Sequence, residues 1–459
     1  MMQREANRPG PVQKVSGGEL MSEASVVGFE SEPRSEAEER TYRKVTMRIV
    51  PFLFICYLAA YVDRVNVGFA KLQMLSELNF SETVYGFGAG IFFLGYVLFE
   101  VPSNVIMHRV GARLWIARIM ITWGLISGAM AFVHSPLSFY VLRFLLGVAE
   151  AGFIPGILLY LTYWFPARRR GRITALFLTA IPMATIFGGP LSGWILSQVS
   201  GARGLSGWQW LFVLETIPSL ILGIVTLLYL DDRVASAKWL DEDERRLIAA
   251  TIAKEEAEKH KEGLSELSSA FKTGRVWLLG LIYFCIASGI YIISFWLPTL
   301  IKQTGVADPL QIGLLTALPY IVAVIAMITV NGHADRVRER RWHTLIPTLA
   351  TAAGLVLTVW AGSHIVLAMV GLTVATAGAS TAQSSFWTFP AAFLGGAAAA
   401  AGIALVNSLG NIAGFASTFL VGWMTDLTHS TSSSLYLFAG LLTVGGLLIL
   451  TIPGRMVNK

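Results

Sequence analysis

Charge is what this sequence has little of. Asp, Glu, Lys and Arg make up 14% of its 459 residues, against roughly a quarter in soluble globular chains. With 54% hydrophobic residues and a mean hydropathy of +0.61, the chain is suited to a bilayer rather than to water. Cysteine is scarce as well. Cys56 and Cys285 both lie inside apolar runs, which excludes a disulfide framework and a zinc site, so no metal is expected. The seven histidines are scattered, and neither a His-Glu-x-x-His nor a Gly-x-Ser-x-Gly pattern stands out. A membrane-embedded enzyme is therefore the remote alternative. The net charge of +6 sits in short connections between apolar runs, where it orients helices rather than binds nucleic acid.

What the chain does have is apolar segments of about twenty residues, each able to cross a ~30 Å hydrocarbon core as a helix. They fall near 47–69, 84–107, 113–134, 137–162, 172–199 and 209–230, then 276–301, 309–331, 342–361, 364–389, 397–424 and 433–453. None shows the period-two alternation of a barrel strand. The expected fold is an all-α integral membrane protein with twelve transmembrane helices in two six-helix halves, residues 46–231 and 273–454. Residues 232–272 carry runs such as Asp241-Glu242-Asp243-Glu244-Arg245-Arg246, with i, i+4 charge pairing, and read as a solvated linker. Residues 1–45 are polar and have no signal-peptide core, so they read as a disordered cytoplasmic tail. Residues 455–459 form a short second tail.

Lys and Arg fix the expected orientation. With the N-terminus inside, the cytoplasmic connections receive Arg109, Arg113, Arg168, Arg169, Arg170, Arg172, Arg336, Arg338, Arg340 and Arg341, while the opposite loops receive little beyond Lys71, Arg203 and Lys302. Both termini are then cytoplasmic and the chain is multi-pass in the cell inner membrane. The halves also echo one another. Arg109 and Arg336, each in a basic run after a second span, are 227 positions apart, and Trp194 and Trp423, each after a glycine, are 229 apart. Such offsets fit duplication of a six-helix unit, with a pseudo-two-fold axis between halves and a substrate site between them near the midplane.

Within the first apolar segment stand Tyr57, Tyr61, Asp63, Arg64 and Asn66. A charged residue at the centre of a span costs roughly 2.5–3.5 kcal/mol to insert, so Asp63 and Arg64 are read as functional. Tyr57, Tyr61 and Arg64, spaced i, i+4, i+7, share one helical face.

The sequence resembles transporters of the major facilitator superfamily, over essentially all of the chain after residue 45, and more narrowly its anion:cation symporter family. The residues that carry the resemblance are Asp63-Arg64-Val65-Asn66-Val67-Gly68-Phe69-Ala70, Val101-Pro102-Ser103-Asn104, Val110-Gly111-Ala112-Arg113, Arg143 with Glu150-Ala151-Gly152-Phe153-Ile154-Pro155-Gly156, Trp164-Phe165-Pro166 and Asn407-Ser408-Leu409-Gly410-Asn411. The branch it is most similar to contains tartrate transporters, phthalate permeases and 4-hydroxyphenylacetate permeases. That implies uptake of a small organic anion with a proton as coupling ion, no organic cofactor, and a monomer working in the lipid bilayer. Arg109, Gly111, Arg113, Asp335 and Arg336 match the superfamily's cytoplasmic gating motif. His108 stands where that motif usually has an aspartate. On the fifth span Thr179, Ile181 and Pro182 stand where sugar-acid members have a substrate-contacting glutamine, which argues against a heavily hydroxylated sugar acid.

Arg64 and Arg143 are the candidate anion binders, because a guanidinium stays charged and offers a fork of donors to a carboxylate. The plainer reading is that each only pairs with Asp63 or Glu150. Asp63 and Glu150 are the candidate proton carriers, since burial and a nearby arginine push a carboxyl's proton affinity in opposite directions. Together the four form an expected charge cluster between the first and fourth spans. Tyr61 and Tyr96, the latter matching a family substrate-contacting tyrosine, line the site. In the second half Gln383, Ser384, Ser385, Trp387, Asn407 and Asn411 offer neutral groups to grip the remainder of the substrate; the alternative is that they only bond neighbouring helices. Glu100 is as readily a packing carboxylate. The competing functions are anion exchange and drug/proton antiport.

Overall fold

The computed structural model describes residues 36–261, 274–393 and 396–458. Among these are twelve stretches long and apolar enough to cross a membrane. The first half holds span 1 (Glu36–Leu78), span 2 (Glu82–Val110), span 3 (Ala112–Phe132), span 4 (Pro136–Thr162), span 5 (Ala167–Gln198) and span 6 (Gly207–Tyr229). The second holds span 7 (Gly274–Gln303), span 8 (Pro309–Val337), span 9 (Arg341–Ala361), span 10 (Ile365–Pro390), span 11 (Gly402–Thr428) and span 12 (Ser432–Leu450).

One expected boundary is corrected. Residues 36–45 are not tail but the first turns of span 1, because acidic side chains there find partners. Glu38 pairs with Arg168, Glu39 with Arg169 at 2.8 Å, and Lys44 with Glu244 at 2.6 Å. The linker likewise contains a helix, Glu242–Lys261, which sends Glu255 to Arg170 at 2.5 Å and to the Ala167 N–H. Residues 1–35, 262–273, 394–395 and 459 lie outside the described residues. These contacts gather the start of span 1, the basic turn before span 5 and the linker helix on one face of the bundle, called here the terminal face.

Four spans are broken, and the breaks fall at chemically loaded positions. Span 1 breaks at Asn66, span 4 at Ala151 and Gly152, span 5 at Thr179 and span 10 at Trp387. Gly152 has φ +87°, a left-handed value that glycine adopts without steric cost. By contrast Pro102, Pro298 and Pro319 lie inside unbroken helices. A broken span frees backbone groups and redirects side chains next to it, which is tolerated only inside protein or beside a cavity.

The halves meet mainly where span 2 packs on span 11 and span 5 on span 8, pairs that a two-fold operation exchanges. Glycine makes both contacts possible. A Cβ at Gly86 would lie 2.5 Å from the Thr418 carbonyl oxygen, and one at Gly193 would lie 3.2 Å from the Gly313 Cα. Gly86 precedes Gly313 by 227 positions and Gly193 precedes Gly422 by 229, the offsets of the repeat. All four sit toward the face opposite the termini, the distal face. There Asp426 of span 11 accepts the backbone N–H groups of Glu82 at 3.0 Å and Thr83 at 2.7 Å, capping the start of span 2, where a carboxylate is favoured. Lys71 pairs with Glu82 at 2.6 Å and lies 3.6 Å from the Trp296 ring centroid. Lys71, expected in a loop, is thus buried between the halves, because span 1 runs on to Leu78. The bundle is sealed at its distal face.

A candidate anion and proton site around span 1

Asp63 and Arg64 are both buried, at 2% and 6% exposure, but they do not share a site. Successive helical residues are about 100° apart around the axis at 3.6 per turn, so one faces spans 2 and 4 and the other spans 3 and 6. The Arg64 Nε donates to Glu150 Oε1 at 3.0 Å, and its Nη2 reaches the same oxygen. Aromatic rings close around the guanidinium, with the Phe92, Tyr96 and Tyr61 centroids 5.3, 5.5 and 5.9 Å from its carbon. Tyr57 stands edge-on to Tyr61 and stacks on Phe177. Tyr61 meets Ser294 of span 7 at 3.3 Å, which puts this pocket at the junction of the halves.

On the opposite side of span 1, Asp63 accepts hydrogen bonds from Trp123 Nε1 at 3.1 Å, Ser127 at 3.2 Å and Ser219. The expected four-residue charge cluster is therefore corrected: Asp63 belongs to a separate pocket between spans 1, 3 and 6. Arg143 remains within electrostatic reach of Glu150 and Arg64 but forms no ion pair with that carboxylate. It is wholly buried and donates to the Gly88 and Ala89 carbonyl oxygens of span 2, each at 3.3 Å. Among the described residues it makes no salt bridge, and it lies 5.1 Å from the Phe92 ring, holding span 4 to span 2.

The second half brings neutral groups to the same level. Tyr291 donates to Asn411 at 3.3 Å, and Asn407 donates to Glu100 at 3.2 Å across the halves. Trp387 packs on Tyr283, whose hydroxyl accepts from Gln383 at 3.2 Å. Ser384 and Ser385 are both engaged by Asn331 of span 8, at 2.7 and 2.6 Å, so they tie spans 8 and 10 together. All six buried charged residues among those described, Asp63, Arg64, Lys71, Arg143, Glu150 and Glu215, lie in the first half.

Residues 53–418 match the Major Facilitator Superfamily. The chain belongs to that superfamily. It is 49% identical over 418 residues to "Putative metabolite transport protein NicT" of Pseudomonas putida, covering 91% of this chain and 95% of that one. It is also 49% identical to a "Putative tartrate transporter" of Agrobacterium vitis, at 91% and 96% coverage, and 42% identical to a "Quinolone resistance transporter" of Acinetobacter baumannii, at 90% and 94%. Among solved structures, a D-xylose-proton symporter aligns with TM-score 0.69 at 17% identity, over 91% of this chain and 99% of that one. Relatives and fold alike are those of a secondary transporter of this superfamily, not of an enzyme.

The residues expected to form a cytoplasmic gate are held differently in the two halves. Gly111 has φ +102°, and the following Arg113 gives its backbone N–H to Asp232 at 2.8 Å, with its side chain 3.8 Å from the same carboxylate. Asp232, just past span 6, thus supplies an acid to the loop after span 2, and His108 meets the Tyr163 hydroxyl at 3.1 Å. Arg109 lies in the last turn of span 2. In the second half Asp335 turns to Arg340 at 2.6 Å, while Arg336 ends span 8. The loop there is organised by Glu339. Burial pushes its carboxyl up, but the Trp342 N–H, His343 and Asn458 donors outweigh this and hold it below the usual carboxylate range.

Sequence reasoning passed over Glu215, Asn331, Ser294 and Asp426. Glu215 was visible: a lone carboxylate in an apolar run carries the same cost as Asp63. The others are ordinary polar residues whose partners are more than 50 positions away. Trp208, at the start of span 6, is buried and donates to Glu77 at 2.8 Å. An apolar groove between spans 9 and 12, lined by Leu349, Val356, Trp360 and Tyr436, has no charged group and lies apart from this site.

Proposed function

We propose that the protein takes up a small organic carboxylate together with a proton, by alternating access of its two halves. The observation that carries this reading is the buried Arg64–Glu150 pair at their junction. A substrate carboxylate and Glu150 need the same guanidinium donors, so the anion binds well only when Glu150 has taken a proton and released them. Proton and anion then enter as a neutral set, which avoids moving uncompensated charge through a dry site. Phe92, Tyr96 and Tyr61 wall the place the anion would occupy, and Asn407, Asn411 and Tyr291 offer hydrogen bonds from the other half. Asp63, held by neutral donors behind span 1, is the second proton carrier. The relatives named for tartrate transport support a carboxylate cargo, and the aromatic walls suit an aromatic acid equally. By the distribution of basic residues both termini face the cytoplasm of a cell whose inner membrane holds the monomer, and the sealed distal face is the outer one.

The test is uptake into proteoliposomes carrying the full chain, with tartrate, phthalate and 4-hydroxyphenylacetate as probes. An inside-alkaline pH gradient should drive accumulation of at least one of them, and a protonophore should abolish it. Uptake of the probes that ignores the gradient would leave exchange as the activity. Depletion under the same gradient would mark proton antiport, the reading that the quinolone-resistance relative favours.

A further inference from the structure

Behind span 1 lie two carboxylates that pair with no cation among the described residues. Glu215 of span 6 is 4% exposed and accepts from Ser192 of span 5 through Oε1 at 2.5 Å, while its buried Oε2 has no hydrogen-bond partner. Beside it lies Asn66, 1% exposed, whose amide nitrogen and oxygen both lack partners although the amide adjoins the Glu215 carboxyl. The charged group acting on Glu215 among the described residues is Asp63, from span 1. Spans 3 and 5, on either side, present Trp123, Ser127 and Ser192 here, all neutral. Asp63 takes three donors and is complete as an anion. Glu215 takes one, and an ionised carboxylate left so poorly solvated and beside a second anion is strongly disfavoured.

We propose that Glu215 is a proton-binding residue of the transport cycle, holding its proton on Oε2 against the Asn66 amide oxygen. As an acid it donates to Asn66 Oδ1. When the proton leaves, the same amide can turn and donate from Nδ2, so Asn66 satisfies either state. Asn66 is also the break between the two helices of span 1, two residues from Arg64. A change of hydrogen bond at this hinge is therefore passed to the anion pocket on the other side. This deepens the proton-symport reading and rests on it for its place in the cycle.

The experiment is infrared spectroscopy of the reconstituted full chain at neutral pH, with no substrate present. A protonated-carboxyl C=O band should be lost in Glu215→Gln. In Asn66→Leu, where the acid keeps its proton but loses its acceptor, the band should persist at higher frequency. A band unchanged in both variants overturns the proposal, and so does its absence from the wild type. In proteoliposomes Glu215→Gln should cut pH-gradient-driven accumulation at least tenfold. Equal accumulation by wild type and Glu215→Gln removes Glu215 from the cycle and leaves symport standing. A wild type indifferent to the gradient sinks symport itself, whatever the spectrum.

Discussion

On the side of span 1 that faces spans 2 and 4, Glu150 is buried against a guanidinium. On the other side Asp63 and Glu215 are buried with hydroxyls, an indole and an amide, and pair with no cation among the described residues. The two pockets differ in what can change them. A carboxylate paired with arginine can be displaced by a second carboxylate, which is why we propose that the front pocket answers to an anion. Carboxylates surrounded by neutral donors answer only to protons. One helix, by pointing neighbouring residues 63 and 64 in different directions, keeps the two ligands apart yet mechanically joined.

The largest break in this comparison should come from Arg64→Lys. An ammonium cannot present the planar fork, and loss of a charge-assisted hydrogen bond costs about 1.5–3 kcal/mol, on the order of tenfold to a hundredfold in affinity. Titration calorimetry with a transported carboxylate would read this directly. Unchanged affinity would remove Arg64 from the anion site and leave the front pocket a structural ion pair.

Much of this arrangement was legible in the sequence. The cost of charge in an apolar run pointed to Asp63, Arg64, Arg143 and Glu150, and the equal offsets of the basic loops and Gly-Trp pairs pointed to the paired halves. Spacing gives relative azimuth, about 100° per helical residue, but not which spans stand on each side. Asp63 and Arg64 are adjacent in the chain and were grouped, but the helix separates them. Arg143 and Glu150 do share a face of span 4, yet Arg143 is spent on the span 2 carbonyls, which become available only where Gly88 and Ala89 pack against it. The distal seal was hidden for a different reason. Asp426 and Glu82 are 344 positions apart, and nothing local marks one as the cap of the other's helix.

A smaller effect sharpens the comparison from outside the two pockets. Asp426→Asn weakens the cap on span 2, and a helix-terminal charge is worth about 0.3–1 kcal/mol, enough to shift a two-state population by roughly twofold to fivefold. Distances between spin labels at the distal ends of spans 2 and 11 should show a larger distal-open population in the variant. An unchanged distribution would mean that the glycine contacts alone hold that face closed.

The central claim is that Glu150 and the substrate compete for Arg64, and it is tested most directly by carboxylate affinity measured against pH in wild type and Glu150→Gln. A proton on Glu150 frees the guanidinium, so wild-type affinity should rise as pH falls, by up to about tenfold per unit while Glu150 titrates. The Gln side chain, which never carries the negative charge, should bind tightly with that dependence lost. A Glu150→Gln variant that keeps the wild-type pH dependence would contradict the account.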